Sequence, residues 1–131
     1  MGAVKIWANL TVSNLERTTK FYTALGFKSN GSSDELTSFF VGEDDFIIHF
    51  FLKDILQKNL KAAIADAQKA SEVLFTLSAG SIGQANDWAK EVERAGGTII
   101  SPPEAFGKAY YGFHFADPDG HKFNVFWMEG L

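Results

Sequence analysis

The stretch VKIWANLTVSNLERTTKFYTALG, residues 4–26, decides the fold prediction. Apolar and polar side chains alternate over its first nine residues, which is typical of a half-buried β-strand. Ser13 follows, with Glu16 three positions later, and this capping-box pair predicts the start of a helix. The helix is expected to end at Gly26, because glycine readily adopts the left-handed backbone of helix C-termini. The stretch therefore predicts a strand that leads directly into a helix.

The same order returns in the second half, in the stretch VLFTLSAGSIGQANDWAKEVERAGG, residues 73–97. Alternation over residues 73–79 predicts a strand, and Ser81 with Gln84 forms a second capping box. The glycine pair 96–97 marks the end of this second helix. A strand–helix order that occurs twice predicts two related modules within one chain.

Further strands complete each half of the chain. The predicted strands cover residues 36–41, 46–52, 98–101, 110–115 and 122–128. The proline pair 102–103 is expected to end the strand before it, since proline lacks the amide hydrogen that a sheet needs. The turn Asp117-Pro118-Asp119-Gly120 predicts a hairpin between the last two strands, with its aspartates capping the turn.

We therefore expect an α+β fold in which two βαβββ modules form a single domain over residues 1–131. The modules are expected to cover about residues 1–55 and 72–131, joined by a connector at about 56–71. Residues 53–71 are rich in alanine, lysine and glutamine, which leaves two interpretations open. This segment is either a partly helical connector or a mobile cover over a pocket.

Composition excludes several classes of protein. The chain has no cysteine, which excludes a disulfide scaffold, a thiolate nucleophile and cysteine-ligated metal sites. Its 12 basic and 16 acidic side chains give a net charge of −4 without a basic cluster, so no nucleic-acid partner is expected. No apolar run approaches the roughly 20 residues of a membrane span, and a cytoplasmic protein is expected. Aromatic residues make up 15% of the chain, which indicates a large core, a ring-lined pocket or an interface.

Three local strings resemble the glyoxalase/bleomycin-resistance/extradiol-dioxygenase superfamily, also called the vicinal oxygen chelate superfamily. They are LTVSNLER at residues 10–17, ERAGG at residues 93–97 and FADPDGH at residues 115–121, in the order of that family. The resemblance covers nearly the whole chain. It implies that the two modules form one glyoxalase-like domain whose curved sheets share a cleft. It also implies a homodimer, which apolar sheet edges favour as well.

Active members of the superfamily hold a divalent metal ion at cleft-facing positions. The resemblance assigns these positions to Trp7, His49, Leu74 and Asn124. Only His49 carries a good metal ligand, because indole and isobutyl groups do not bind cations and a carboxamide binds them weakly. We therefore expect no metal ion and no other cofactor. Metal-dependent lyase and dioxygenase chemistry would then lack its electrophile.

Strand alternation and the resemblance together predict which residues line the cleft. The candidate substrate-binding residues are Trp7, Asn9, His49, Phe51, Leu74, His114, Asn124 and Phe126. Aromatic side chains in this set offer flat apolar surface, and its polar side chains offer a few hydrogen bonds that would orient a ligand.

For several of these residues a structural role stays open. His49 is either a base or hydrogen-bond donor in a pocket, or a half-buried side chain that bonds to Asn9 or Asn124. Trp7 is either a cleft wall that stacks on a ring-shaped ligand or a core residue. Asn124 either ties the sheet together or contacts a ligand, and His114 has the same two alternatives.

Two functions are compatible with these residues. The first is a metal-independent protein of the bleomycin-resistance type that binds a small molecule, an aromatic one being favoured, in a ring-lined cleft. The alternative is a lyase or isomerase similar to lactoylglutathione lyase, in which His49 is the catalytic base on a small carbonyl substrate. The expected partners are an unidentified small molecule and a second copy of the chain.

Overall fold

The structure, a computed structural model, describes residues 2–130 and divides the chain into two compact units, Met1–Ile64 and Ala65–Leu131. Each unit is built around one four-stranded sheet, and each is described by itself. Within the described residues, no helix has the length and apolar character that crossing a membrane requires.

The first unit runs strand, helix, three strands and a final helix. Its elements are β1 (Trp7–Val12), α1 (Leu15–Ala24), β2 (Lys28–Ser32), β3 (Leu36–Val41), β4 (Phe46–Leu52) and α2 (Lys53–Leu60). The strand order in the sheet is β1-β4-β3-β2, in which β1 lies parallel to β4 and the other pairs are antiparallel. The unit is a βαβββ module followed by one short helix.

The second unit repeats this topology. Its elements are β5 (Leu74–Ser78), α3 (Ile82–Ala95), β6 (Thr98–Phe106), β7 (Tyr110–Ala116) and β8 (Lys122–Met128). The strand order is β5-β8-β7-β6, with β5 parallel to β8 and the other pairs antiparallel. The same order and directions in both sheets confirm the predicted α+β fold of two βαβββ modules.

One face of each sheet is buried by aromatic packing. In the first unit, Tyr22 of α1 stacks on Phe50 of β4 with 4.5 Å between ring centroids, and both side chains are fully buried. In the second unit, Phe115 and Phe123 stack with 5.0 Å between centroids on neighbouring strands. Burying such rings stabilises a fold by roughly 1.5–3 kcal/mol each. These faces account for much of the aromatic content.

The hydrogen bond between Tyr111 and Asn86 fixes which face of the second sheet meets its helix. The Tyr111 hydroxyl on β7 donates to the Asn86 carbonyl oxygen on α3 at 2.6 Å. Because side chains alternate along a strand, Phe113 and Phe115 face the same way as Tyr111. His114 therefore lies on the opposite face.

The predicted N-cap residue is correct for helix α3 and wrong for helix α1. Ser81 caps α3 as predicted, since its hydroxyl oxygen accepts from the Gln84 backbone N–H at 2.9 Å. The predicted cap of the first helix, Ser13, is wrong by one residue. Asn14 caps α1 and accepts from the Arg17 backbone N–H at 3.0 Å, whereas Ser13 accepts from the Arg17 side chain. Both residue types make good caps, so local sequence does not separate them.

One strand was not predicted, and the bounds of β1 and β6 differ clearly from the prediction. β1 begins at Trp7 rather than at residue 4. β2 was not predicted, because its sequence KSNGS contains no apolar residue. The proline pair 102–103 does not end β6, which continues to Phe106 with register shifts around Ser101. An edge strand tolerates proline because one side of its backbone has no sheet partner, and β6 lies at the edge.

The segment after β4 begins with helix α2. Further along, within the second unit, its residues 67–68 form hydrogen bonds with the turn between β7 and β8 and with Lys122. The Lys122 ammonium group donates to the Ala67 carbonyl at 2.7 Å, and the Gln68 side-chain amide donates to the Pro118 carbonyl at 2.9 Å. A Cβ added at Gly120 would approach the Ala67 backbone to 2.8 Å. Glycine at this turn therefore leaves room for the segment.

Candidate functional site

Each sheet has a second face, opposite its helix, on which the candidate residues lie. The first open face is formed by Trp7, Asn9, Ser38, Phe40, Ile47, His49 and Phe51. Strand alternation explains this set, because Ile48 and Phe50 are fully buried on the helix side and their neighbours along β4 point the other way. His49 is accordingly only half-buried.

A row of polar residues crosses the first open face at one register. Asn9 of β1 and Ser38 of β3 lie on either side of His49 in the ladder. The Ser38 hydroxyl oxygen lies 2.8 Å from His49 Nδ1, and the Asn30 side-chain amide donates to the same oxygen at 3.1 Å. His49 thus bonds to Ser38 rather than to Asn9, one of the partners expected from the sequence.

Two aromatic rings flank the His49 imidazole. Trp7 is edge-on to it, with 6.3 Å between ring centroids and 69° between planes. Phe51 lies on the other side with a centroid distance of 6.0 Å, also edge-on. Trp7 is 52% exposed, so it is not a core residue of the described chain. This face combines an accessible indole with a half-buried imidazole.

The first open face contains residues that the sequence analysis did not nominate. Ser38 is 1% exposed and lies in a strand of otherwise apolar and small residues, where nothing in the pattern marks it. Asn30 lies in the unpredicted strand β2. Phe40 lies on the same face, and the Lys28 ammonium group sits 5.3 Å from its ring centroid. Only the pairing register of β2, β3 and β4 brings these side chains to His49.

A second polar row crosses the other sheet. The second open face is formed by Leu74, Thr76, Ser101, Gly112, His114, Asn124 and Phe126. Asn124 pairs with Thr76 on one side and with His114 on the other. In the first sheet His49 holds the equivalent central position, between Asn9 and Ser38.

Asn124 is buried, with 6% of its surface exposed. Its side-chain nitrogen donates to the Thr76 hydroxyl oxygen at 3.2 Å. Its Oδ1 atom is buried and has no hydrogen-bond partner among residues 2–130. An unpaired buried carbonyl oxygen costs about 1–3 kcal/mol, so Oδ1 is the unsatisfied polar atom of this row.

The second imidazole is packed much like the first. His114 Nδ1 lies 2.5 Å from the Ser101 hydroxyl oxygen. Phe106 and Phe126 stand edge-on to the imidazole, each with 5.8 Å between centroids. The two phenyl rings are themselves 5.5 Å apart. Phe106 was not among the predicted candidates, because its strand was expected to end at the prolines.

Two further predicted features lie apart from the polar rows. Leu74 is 49% exposed on the edge strand β5, two residues before Thr76. Asp117 Oδ1 accepts hydrogen bonds from the backbone N–H groups of Asp119 and His121 at 3.0 and 2.9 Å. Asp117 therefore caps the turn as predicted.

The fold can now be compared with known proteins. The family description "Glyoxalase/Bleomycin resistance protein/Dioxygenase superfamily" matches residues 6–125, which is most of the chain. The chain belongs to this superfamily. A search of curated proteins finds no significant match for this glyoxalase-superfamily chain.

Solved structures share its architecture over nearly the whole length. A hypothetical protein from S. aureus is 27% identical with a TM-score of 0.85, and the match covers 96% of this chain and 95% of that one. A glyoxalase-related enzyme from Fulvimarina pelagi is 18% identical with a TM-score of 0.83, covering 94% and 87%. A lactoylglutathione lyase from Agrobacterium tumefaciens is 15% identical with a TM-score of 0.70, covering 96% and 95%. The latter two matches concern the fold alone.

The residues present do not form a good donor set for the metal ion of active superfamily members. The four positions assigned by the resemblance carry an indole, an imidazole, an isobutyl group and a carboxamide at Trp7, His49, Leu74 and Asn124. Zinc usually keeps at least three protein ligands, and harder cations need several oxygens. Within residues 2–130, no group of three His, Asp or Glu side chains is placed to hold an ion.

Proposed function

We propose that this glyoxalase-superfamily chain is a cytoplasmic, metal-independent protein that binds a small molecule with a flat ring. The observation that carries the proposal is the composition of the first open face. There a 52% exposed Trp7 stands edge-on to His49, and Phe51 flanks the imidazole on its other side. Aromatic side chains around a small number of polar groups are typical of small-molecule sites.

The exposure of Trp7 favours a ligand over a structural role. An indole that is half-exposed loses much of the stabilisation that burial would give, at roughly 25 cal/mol per Å² of apolar surface. A ring-shaped ligand that covers this surface would recover that free energy on binding. The imidazole beside it supplies a hydrogen bond that orients the ligand.

The second open face supports the same function independently. The buried Asn124 Oδ1 lacks a partner among residues 2–130. Close to it in the ladder, His114 is flanked by the rings of Phe106 and Phe126. This sheet, like the first, combines a small number of polar groups with aromatic walls. Each open face carries a single imidazole, His49 in the first and His114 in the second, whereas zinc usually keeps at least three protein ligands.

A fragment titration tests the proposal. The isotope-labelled protein would be titrated with indane, indole and 1-indanone at millimolar concentrations, and backbone amide shifts would be mapped by NMR. We expect the largest shifts in β1 and β4, around Trp7, His49 and Phe51, because the rings cover those residues. Shifts confined to the helices α1 and α3, or no shift with any fragment, would contradict the proposal.

The proposal includes a homodimer. Ile100 is 52% exposed on the edge strand β6, and an apolar edge of this kind favours pairing with another chain. Sedimentation analysis at micromolar concentration is expected to give about twice the chain mass of 14.4 kDa. Ile100→Lys is expected to weaken the dimer about tenfold, since a charge at a sheet edge opposes pairing.

The control for the dimer is Ile82→Lys, which introduces the same charge at an exposed isoleucine on helix α3. Its dimer dissociation constant should stay within about twofold of the native value, because surface changes away from an interface have small effects. A monomer in the native protein would overturn the dimer proposal, and so would equal dissociation of both variants.

A further inference from the structure

Three side chains on neighbouring strands form a continuous hydrogen-bonded series. The Asn30 side-chain amide lies 3.1 Å from the Ser38 hydroxyl oxygen, which lies 2.8 Å from His49 Nδ1. Ser38, the middle member, is 1% exposed, and Asn30 is exposed at the surface. The series thus leads from solvent through a buried hydroxyl to the imidazole of the first open face.

The directions of these hydrogen bonds follow from the chemistry of each group. The Asn30 amide nitrogen only donates, so the Ser38 oxygen accepts from it. The single hydroxyl proton of Ser38 then points to the other partner, His49 Nδ1. A buried hydroxyl that did not donate would lose a hydrogen bond, at a cost of about 1–3 kcal/mol. Nδ1 is therefore the acceptor, and the ring proton of the neutral imidazole is on Nε2.

We infer that Asn30 and Ser38 are positioning residues that hold neutral His49 in the Nε2–H tautomer. Among residues 2–130, the His49 ring bonds to Ser38 through Nδ1 and not through Nε2. At His49 the first open face then offers an N–H donor that two aromatic rings flank. The matching ligand is a flat ring that carries a hydrogen-bond acceptor such as a carbonyl oxygen. This second half of the inference rests on the proposed function.

The tautomer also decides what His49 can do to a carbonyl compound. A nitrogen that already holds a hydrogen cannot remove a proton from a substrate, so Nε2 does not act as the base of a lyase. An N–H donor instead binds the carbonyl oxygen and polarises it. The structure thus favours acceptor binding over the base role that the sequence left open.

The tautomer can be measured without any ligand. Two-bond proton–nitrogen correlations of the imidazole rings distinguish Nε2–H from Nδ1–H, and they would be recorded in alkaline buffer, where free imidazole is neutral. The native protein is expected to show the Nε2–H pattern at His49. An Nδ1–H pattern would overturn the inference.

Asn30→Asp is expected to reverse the tautomer. A carboxylate only accepts, so it would take the Ser38 proton, and the Ser38 oxygen would then accept from Nδ1–H of His49. The matched control is Asn14→Asp, which makes the same chemical change at the N-cap of α1, where aspartate also caps well. A tautomer that stays the same in Asn30→Asp, or that reverses in both variants, would contradict the role of Asn30.

The ligand class is tested with 1-indanone and indane, which differ by one carbonyl oxygen. The native protein is expected to bind 1-indanone about fivefold to tenfold more tightly, the usual effect of one hydrogen bond. Asn30→Asp should lose this preference and Asn14→Asp should keep it. Equal binding of both fragments by the native protein would overturn the ligand class. Binding of neither fragment, with the expected tautomer, would overturn the proposed function and leave the tautomer assignment standing.

Discussion

Replacement of Gly112 by alanine is expected to destabilise the second unit by about 3 kcal/mol, the upper range for overpacking. A Cβ at this position would collide with the Val125 backbone carbonyl and would lie 2.6 Å from the Phe126 ring. The carbonyl is part of the neighbouring strand β8, so it cannot move without disturbing the ladder. The absence of a side chain at Gly112 is what lets the Phe126 ring lie across β7.

Chemical denaturation measures this effect, with Gly83→Ala as the matched control. Gly83 lies in α3, and its added Cβ would meet only the Ser81 hydroxyl at an ordinary 3.8 Å. Alanine there is expected to stabilise the protein by about 0.5–1 kcal/mol, because glycine is a poor helix former. If Gly112→Ala were as stable as the native protein, the packing of Phe126 on β7 would be wrong.

Replacement of Trp7 by alanine is expected to weaken the binding of 1-indanone at least tenfold. The indole is the largest exposed apolar surface of the first open face, and aromatic side chains of this kind carry most of the binding free energy in comparable sites. Because Trp7 is half-exposed and at a sheet edge, its removal should change the free energy of unfolding by less than about 1 kcal/mol.

Two further variants test whether affinity depends on the aromatic ring of Trp7 or only on exposed apolar surface. Trp7→Phe keeps a flat ring and should retain affinity within about threefold. Ile6→Ala removes apolar surface from the preceding residue, which is 79% exposed, and should leave the affinity unchanged. Calorimetric titration of the three variants gives the comparison. A Trp7→Ala variant that binds as tightly as the native protein would place the ligand elsewhere.

Much of the fold was predictable because hydrophobic periodicity and capping are local signals. Alternation placed Trp7 and His49 on faces opposite the helix, and Ser81 marked the start of α3. β2 was not predictable in this way, since a strand with the sequence KSNGS has no apolar pattern and forms only because β3 offers it a partner. The continuation of β6 through its prolines likewise depends on its place at the edge.

In the candidate site, too, features that depend on strand pairing could not be predicted from local sequence. Each sheet has one polar row, and the central members His49 and Asn124 were evident from the sequence as polar residues in apolar strands. The hydroxyl partners of the two imidazoles were not evident, because Ser38 meets His49 and Ser101 meets His114 across strand ladders. Pairing register is a tertiary property, and a shift of one residue would turn these serines to the other face. The positions of His49 and Asn124 were therefore predictable, whereas the hydrogen bonds that orient the side chains were not.

We expect ring-shaped ligands to bind to this protein without a metal ion. The most direct test is calorimetric titration of 1-indanone into protein purified without chelator, with its divalent metal content counted, before and after dialysis against EDTA. We expect substoichiometric metal and the same dissociation constant in both titrations, because Trp7, His49 and Phe51 make the site. Stoichiometric metal whose removal abolishes binding would contradict the account.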